Sequence, residues 1–254
     1  MGASSCDRAA WCDAVVRPLV SPGRVFGVVI SLPLAALGFL IGFPLAGIVA
    51  SYADGSVVRV WPPPDIRSAR GAAIPMVMAA LFAVVGSGVS GGHTGSTAHL
   101  AVTLCEVTVL VAVLCVDLRA RLVPTDLVAA LVALALADAV FWSGLGVGRA
   151  VIGGAVGFAI FLALVALAHV TFGDGALGLG DATLALAIGC ITGYPLVALT
   201  LSVGVLFGAL GAAGILLSSV VLRRDGVGLR TTIPYAPFLV LGVFYVLAGG
   251  RFPF

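Results

Sequence analysis

Apolar residues run along this chain in long blocks, and the polar residues between them gather at the block ends. Eight blocks can be delimited, at about 25–52, 72–90, 100–117, 125–145, 149–172, 181–193, 195–221 and 232–250. Several reach 18 or more nearly uncharged residues, the length that crosses about 30 Å of hydrocarbon. The pattern predicts an all-α polytopic membrane protein with about eight transmembrane helices. The sixth block is short, and only a Gly-Tyr-Pro turn at 193–195 separates it from the seventh. No internal repeat is evident.

Composition strengthens this reading. Of 254 residues, 61% are apolar and 9% charged, against about 25% charged in an average soluble domain. The mean hydropathy is +1.22. All 13 basic residues are arginine, as GC-rich codon usage would give, and the net charge of +2 is too small to suggest a nucleic-acid partner. The five cysteines, Cys6, Cys12, Cys105, Cys115 and Cys190, form no CxxC pair. Three of them lie in apolar segments and read as small hydrophobes; Cys6 and Cys12 could pair. Residues 1–24 lack an apolar core and read as an N-terminal tail rather than a cleavable signal.

Orientation follows from arginine placement. With segment 53–71 cytoplasmic, 118–124 and 222–231 are cytoplasmic too, giving eight arginines inside and five outside. Both termini then lie outside, and the loop before residue 178 lies inside.

Against this background, four acidic residues stand out in or beside the apolar blocks: Glu106, Asp117, Asp138 and Asp181. Acids at such depth mark functional sites by default. Asp117 closes the third block in VLCVDLRARLVPTDL, and Asp181 opens the sixth in GALGLGDATLALAIG. The topology brings both to the same membrane boundary although 64 residues separate them. Glu106 lies eleven residues before Asp117, about 16 Å along a helix, too far to join that pair. Asp138 is similarly remote, and both read as polar contacts between helices.

Two facing carboxylates cannot both ionise cheaply, so the pair holds one proton. The ionised member can take a proton from water while the protonated member hydrogen-bonds a scissile carbonyl, the aspartic-protease arrangement. Helix ends divide the labour: the N-terminus at Asp181 favours the anion, and the C-terminus at Asp117 favours the protonated acid. The surrounding glycines let an extended substrate approach the backbone closely.

An aspartate followed by LRARLVP, then a GLGD opening a later span, then TTIPYAPFLVLG at 231–242, resembles the type IV prepilin peptidase family of GxGD intramembrane aspartyl proteases. The third element is similar to the family's IPFGPFLALG-type segment. The likeness covers roughly residues 100–245, with a faint echo at 42–60. It implies Asp117 and Asp181 as the catalytic pair, Gly178, Gly180 and Pro124 as active-site support, and Pro234 and Pro237 as a possible substrate-contact region. It further implies cleavage of prepilin or pseudopilin leaders at the cytoplasmic face of a bacterial plasma membrane, without metal or cofactor. The expected partners are those substrates and membrane lipid, with no nucleic acid and the oligomeric state open. The chain divides accordingly into the 1–24 tail, two spans with a short cytoplasmic loop over 25–99, and a catalytic membrane domain over 100–254.

Three departures from the family pattern matter. Thr183 stands where many members carry lysine, and Thr125 intervenes before Asp126 after Pro124. The zinc-binding CxxC…CxxC insertion of the larger form is absent, so peptidase without N-methyltransferase activity is expected. The form resembles the smaller Flp/Tad-associated type.

Blander readings exist for each residue. Asp117 could pair with Arg119 or Arg121, and Asp181 could be only a helix starter. Asp126 could replace Asp117 as first acid, but it reads better as the start of the fourth helix. His169 and Asp174 read as loop residues near the site. His93 and His99 fall in the outer loop 86–99 without acidic or cysteine neighbours. The small-residue runs 153–157 and 208–214 read as close helix-packing faces. As whole functions, a proton-coupled transporter or a non-catalytic pilus-assembly scaffold are the alternatives.

Overall fold

The computed structural model describes residues 22–53, 69–90, 97–172, 178–221 and 235–248. These form eight helices and no strand: α1 (Pro22–Ala53), α2 (Ala69–Ser90), α3 (Thr97–Ala120), α4 (Thr125–Phe141), α5 (Val147–Phe172), α6 (Leu179–Thr192), α7 (Leu196–Val221) and α8 (Ala236–Leu247). They follow the eight apolar blocks to within a few residues, and the protein is a helical membrane protein. How many of the eight cross a membrane is a finer matter. Among the described residues, four helices are long and apolar enough to cross by themselves: Ser31–Tyr52, Thr97–Ala120, Val147–Thr171 and Leu196–Gly214. At 1.5 Å per residue, the 14 residues of α6 and 12 of α8 rise only about 21 and 18 Å. The tail through residue 21, with Cys6 and Cys12, and the segments holding His93, Asp174 and Pro234 lie outside the described residues.

Consecutive helices reverse direction, so the chain has two ends where turns gather. At one of them α3 stops at Arg121, a non-glycine residue with φ +53°. Its N–H bonds the carbonyl of Asp117 at 2.8 Å, a left-handed helix ending. Pro124, extended at φ −68° and ψ 119°, then caps α4; its carbonyl accepts the Val128 N–H at 3.1 Å. The RLVP sequence is therefore a short, stiff reversal directly after Asp117. At the opposite end, Gly144 and Gly146 take positive φ between α4 and α5. There the Tyr194 N–H reaches the Arg149 carbonyl at 3.0 Å, tying the α6–α7 turn to the start of α5.

Two apolar cores share α3. One joins α1 and α2 to it through Val49, Met78, Phe82, Val85, Val107 and Val111. The other surrounds α6 with Leu110 and Val113 of α3, Leu131 of α4, Phe161 of α5, Leu201 of α7 and Leu239 of α8. Helix α6 is hidden on most sides, whereas large apolar residues of α5 and α7, such as Val170 and Leu210, face outward. Lipid tails are as apolar as leucine, so helix association here depends on close packing rather than on escape from water. Residues 153–157 meet that requirement: any Cβ on Gly153 or Gly189 would collide with the other helix's backbone. In the run 208–214 the reading holds in part. Gly208 and Gly211 lie against Tyr235 and Phe238, but a Cβ on Gly214 would meet nothing within 4 Å.

Candidate active site

Three helix termini converge where α3 ends and α6 and α8 begin. Asp117, in the last turn of α3, is 5% exposed. Its Oδ2 is buried without a hydrogen-bond partner, while the backbone N–H of Ala236 at the start of α8 addresses its carboxylate. Neither Arg119 nor Arg121 closes an ion pair on it; both are exposed, and Arg121 acts only at longer electrostatic range. The bland pairing considered for Asp117 is therefore not made. A buried carboxylate oxygen left without a donor is costly, and such exceptions concentrate where chemistry needs the group.

Asp181 occupies the third position of α6. Its own N–H bonds the Gly178 carbonyl at 3.1 Å, and its Oδ2 accepts the Gly178 N–H at 3.3 Å. That is the reciprocal arrangement of a helix start, so the helix-starter reading describes its backbone role correctly. The same carboxylate lies within electrostatic reach of Asp117. Capping fixes Asp181 at the start of α6, within that reach of the second acid.

The supporting residues differ in what they do. Gly180 sits in close quarters: a Cβ there would stand 3.0 Å from the Cβ of Val123, which would have to give way by a few tenths of an ångström. Its lack of a side chain lets the start of α6 lie against the reversal that follows Asp117. Gly178 is exposed, and a Cβ there would find its nearest atom at 3.8 Å, so it leaves an open approach rather than filling a tight contact. Pro124 is buried and sets the start of α4. Pro237 is half-buried in the first turn of α8; Pro234 is not among the described residues. Asp126 is exposed in the first turn of α4, where its Oδ2 accepts a hydrogen bond from the Tyr52 hydroxyl. It serves as a helix start tied to α1, as its sequence position suggests.

Sequence reasoning passed over Tyr235. It named the prolines of IPYAP and not the tyrosine that follows the first of them. Tyr235 precedes α8, half-buried, within electrostatic reach of Asp181. Its ring packs on Phe161 at 6.1 Å and Phe238 at 6.3 Å. A polar aromatic inside a motif otherwise made of prolines and apolar residues was the available signal.

Glu106 of α3 and Asp138 of α4 lie within electrostatic reach of each other, away from this site. His99 corrects the sequence reading: it belongs to the first turn of α3 rather than to a loop, and its Nδ1 lies 2.9 Å from Asp138 Oδ1. The acidic neighbour missing from the local sequence comes from the far end of α4. Among the described residues no group of three His, Cys, Asp or Glu side chains could hold a metal ion.

Residues 104–229, about half of the chain, match the family model of the type IV leader peptidase family. No curated protein and no solved structure matches the chain. The matched segment contains Asp117, Pro124, Gly178, Gly180 and Asp181, and it stops short of Tyr235 and Pro237.

Proposed function

Because the chain belongs to the type IV leader peptidase family, we propose that this membrane peptidase works by an aspartic mechanism with Asp117 and Asp181 as its catalytic pair. The observation that carries the proposal is their meeting: two acids 64 residues apart, on separate helices, within electrostatic reach at one end of the bundle. In this reading a water held between the carboxylates attacks the scissile carbonyl carbon. The ionised aspartate takes the water's proton, and the protonated one donates a hydrogen bond to the carbonyl oxygen. Collapse of the tetrahedral intermediate breaks the C–N bond, and a proton passes to the leaving amine. Capping by the Gly178 N–H at the positive end of α6 favours Asp181 as the ionised member.

The substrates on this reading are leader-bearing prepilins or pseudopilins, cut just before their apolar helix at the cytoplasmic face of the plasma membrane. The arginine distribution supports that orientation, since Arg119 and Arg121 lie at the active-site end. Residues 25–99 then form an accessory pair of spans beside a catalytic membrane domain over 100–254, and α4, α6 and α8 are embedded among the longer helices.

The test is cleavage of a tagged prepilin in membranes, comparing the wild type with Asp117→Ala and Asp181→Ala at equal abundance. Loss of cleavage in both variants is expected. Full cleavage by either removes that residue from the chemistry, and no cleavage by the wild type across candidate pilins favours the transporter or scaffold readings.

A further inference from the structure

Residues 235 and 236 address both acids at once. The Ala236 N–H addresses the Asp117 carboxylate, and Tyr235 lies within electrostatic reach of Asp181. The phenol is braced from three directions. Phe161 of α5 lies 6.1 Å away at 59°, and Phe238 of α8 lies 6.3 Å away at 66°. On α7, a Cβ added to Gly208 would come within 3.1 Å of both Cζ and Oη of Tyr235. Helix α7 therefore leaves room for this ring and its hydroxyl where a larger residue than glycine would push against them.

A phenol so fixed and half-buried ordinarily has a partner for its O–H. Among the described residues the Tyr235 hydroxyl makes no side-chain hydrogen bond, and Asp181 Oδ2 is already engaged by the Gly178 N–H. The combination is a braced donor near the aspartate pair, with no side-chain acceptor among the described residues.

We propose that the Tyr235 hydroxyl donates a hydrogen bond to a main-chain carbonyl oxygen of the polypeptide substrate, at the bond held between Asp117 and Asp181. The inference rests on the peptidase reading above. Tyrosine keeps its proton throughout; it holds the carbonyl in line with the attacking water and strengthens its bond as negative charge builds on that oxygen. The ring packing supplies the position, and the hydroxyl supplies the recognition.

The experiment compares wild type with Tyr235→Phe, which keeps the ring and removes only the oxygen. The full-length protein is used in proteoliposomes, with a tagged prepilin as substrate. Two non-cleavable peptides spanning the leader junction serve as probes, one with a hydroxyethylene in place of the scissile amide and one with a reduced amide lacking that oxygen. Tyr235→Phe is expected to lower kcat/KM about tenfold. It should also shrink, by about the same factor, the wild type's preference for the hydroxyethylene peptide over the reduced amide. Gly208→Ala, which displaces the ring instead of trimming it, should reduce the same preference. An unchanged preference in Tyr235→Phe overturns the proposal even if kcat/KM falls, because a purely structural tyrosine does not distinguish the two probes. Failure of the wild type to cleave defeats the peptidase reading itself, whereas normal cleavage with an indifferent Tyr235→Phe defeats only this inference.

Discussion

Helix α3 carries two acids that meet two different fates. Toward its start Glu106, 3% exposed, lies within electrostatic reach of Asp138 of α4. Asp138 is in turn engaged by His99, about two α3 turns before Glu106, at 2.9 Å. Eleven residues later Asp117 lies within electrostatic reach of Asp181 of α6. There the basic residues stay at the surface, and one carboxylate oxygen is buried with no partner. The first cluster carries its own basic group; the second pairs acid with acid at a junction of three helix ends. A compensated acid inside a bundle contributes order. An uncompensated pair carries a continuing electrostatic cost, which catalysis can make useful and packing cannot. Burial alone does not separate the two regions, since Glu106, Asp117 and Asp138 are all buried. What separates them is whether the fold brings a basic partner.

The sharpest way to break this contrast is to neutralise one acid in each region. Asp117→Asn or Asp181→Asn should lower cleavage of a tagged prepilin by about 10³-fold or more, while Asp138→Asn leaves it within about threefold, an effect of ordinary packing size. Equal loss from all three would erase the distinction.

A smaller effect should follow from crowding the junction. Gly180→Ala places a methyl against Val123 and should reduce kcat about tenfold by displacing one carboxylate relative to the other. Gly178→Ala meets no close neighbour and should stay within about twofold. Kinetics of the two purified variants in matched detergent would expose a reversed order.

In the compensated cluster the expected response is in stability. His99→Ala leaves Asp138 without its basic partner and should cost about 1 kcal/mol, the scale of polar contacts measured inside membrane proteins. Thermal unfolding in detergent, with leader cleavage measured in parallel, would show whether the two quantities separate. The smallest effect belongs to Tyr52→Phe. Its bond to exposed Asp126 links α1 to α4 at the active-site end, and solvent competition holds its worth to about 0.5 kcal/mol. Retained activity with slightly lower stability would fit a tie between the two cores. A large loss of activity would instead bring α1 into the site.

The apolar blocks determined the helical membrane architecture because residues that must meet lipid or a packed interior leave a record in composition, wherever their neighbours come from. The same logic made the packing role of Gly153–Gly157 legible, and the isolated charges at Asp117 and Asp181 were visible against so uncharged a background. Sequence spacing also carried the stop after Asp117 and the start at Pro124, since both are local backbone events. Three matters were decided only by the tertiary structure: the basic partner of Asp138, which glycine of GLGD lies in close quarters, and the presence of Tyr235 near the pair. His99 shows why. Its acid lies 39 residues away, at the other end of the next helix, and no local pattern encodes which face of α4 turns toward it. Helix formation is governed by near neighbours along the chain. Electrostatic pairing is governed by whichever residues packing places within a few ångströms, and for Asp117, Asp181 and Tyr235 those come from three separate parts of the chain.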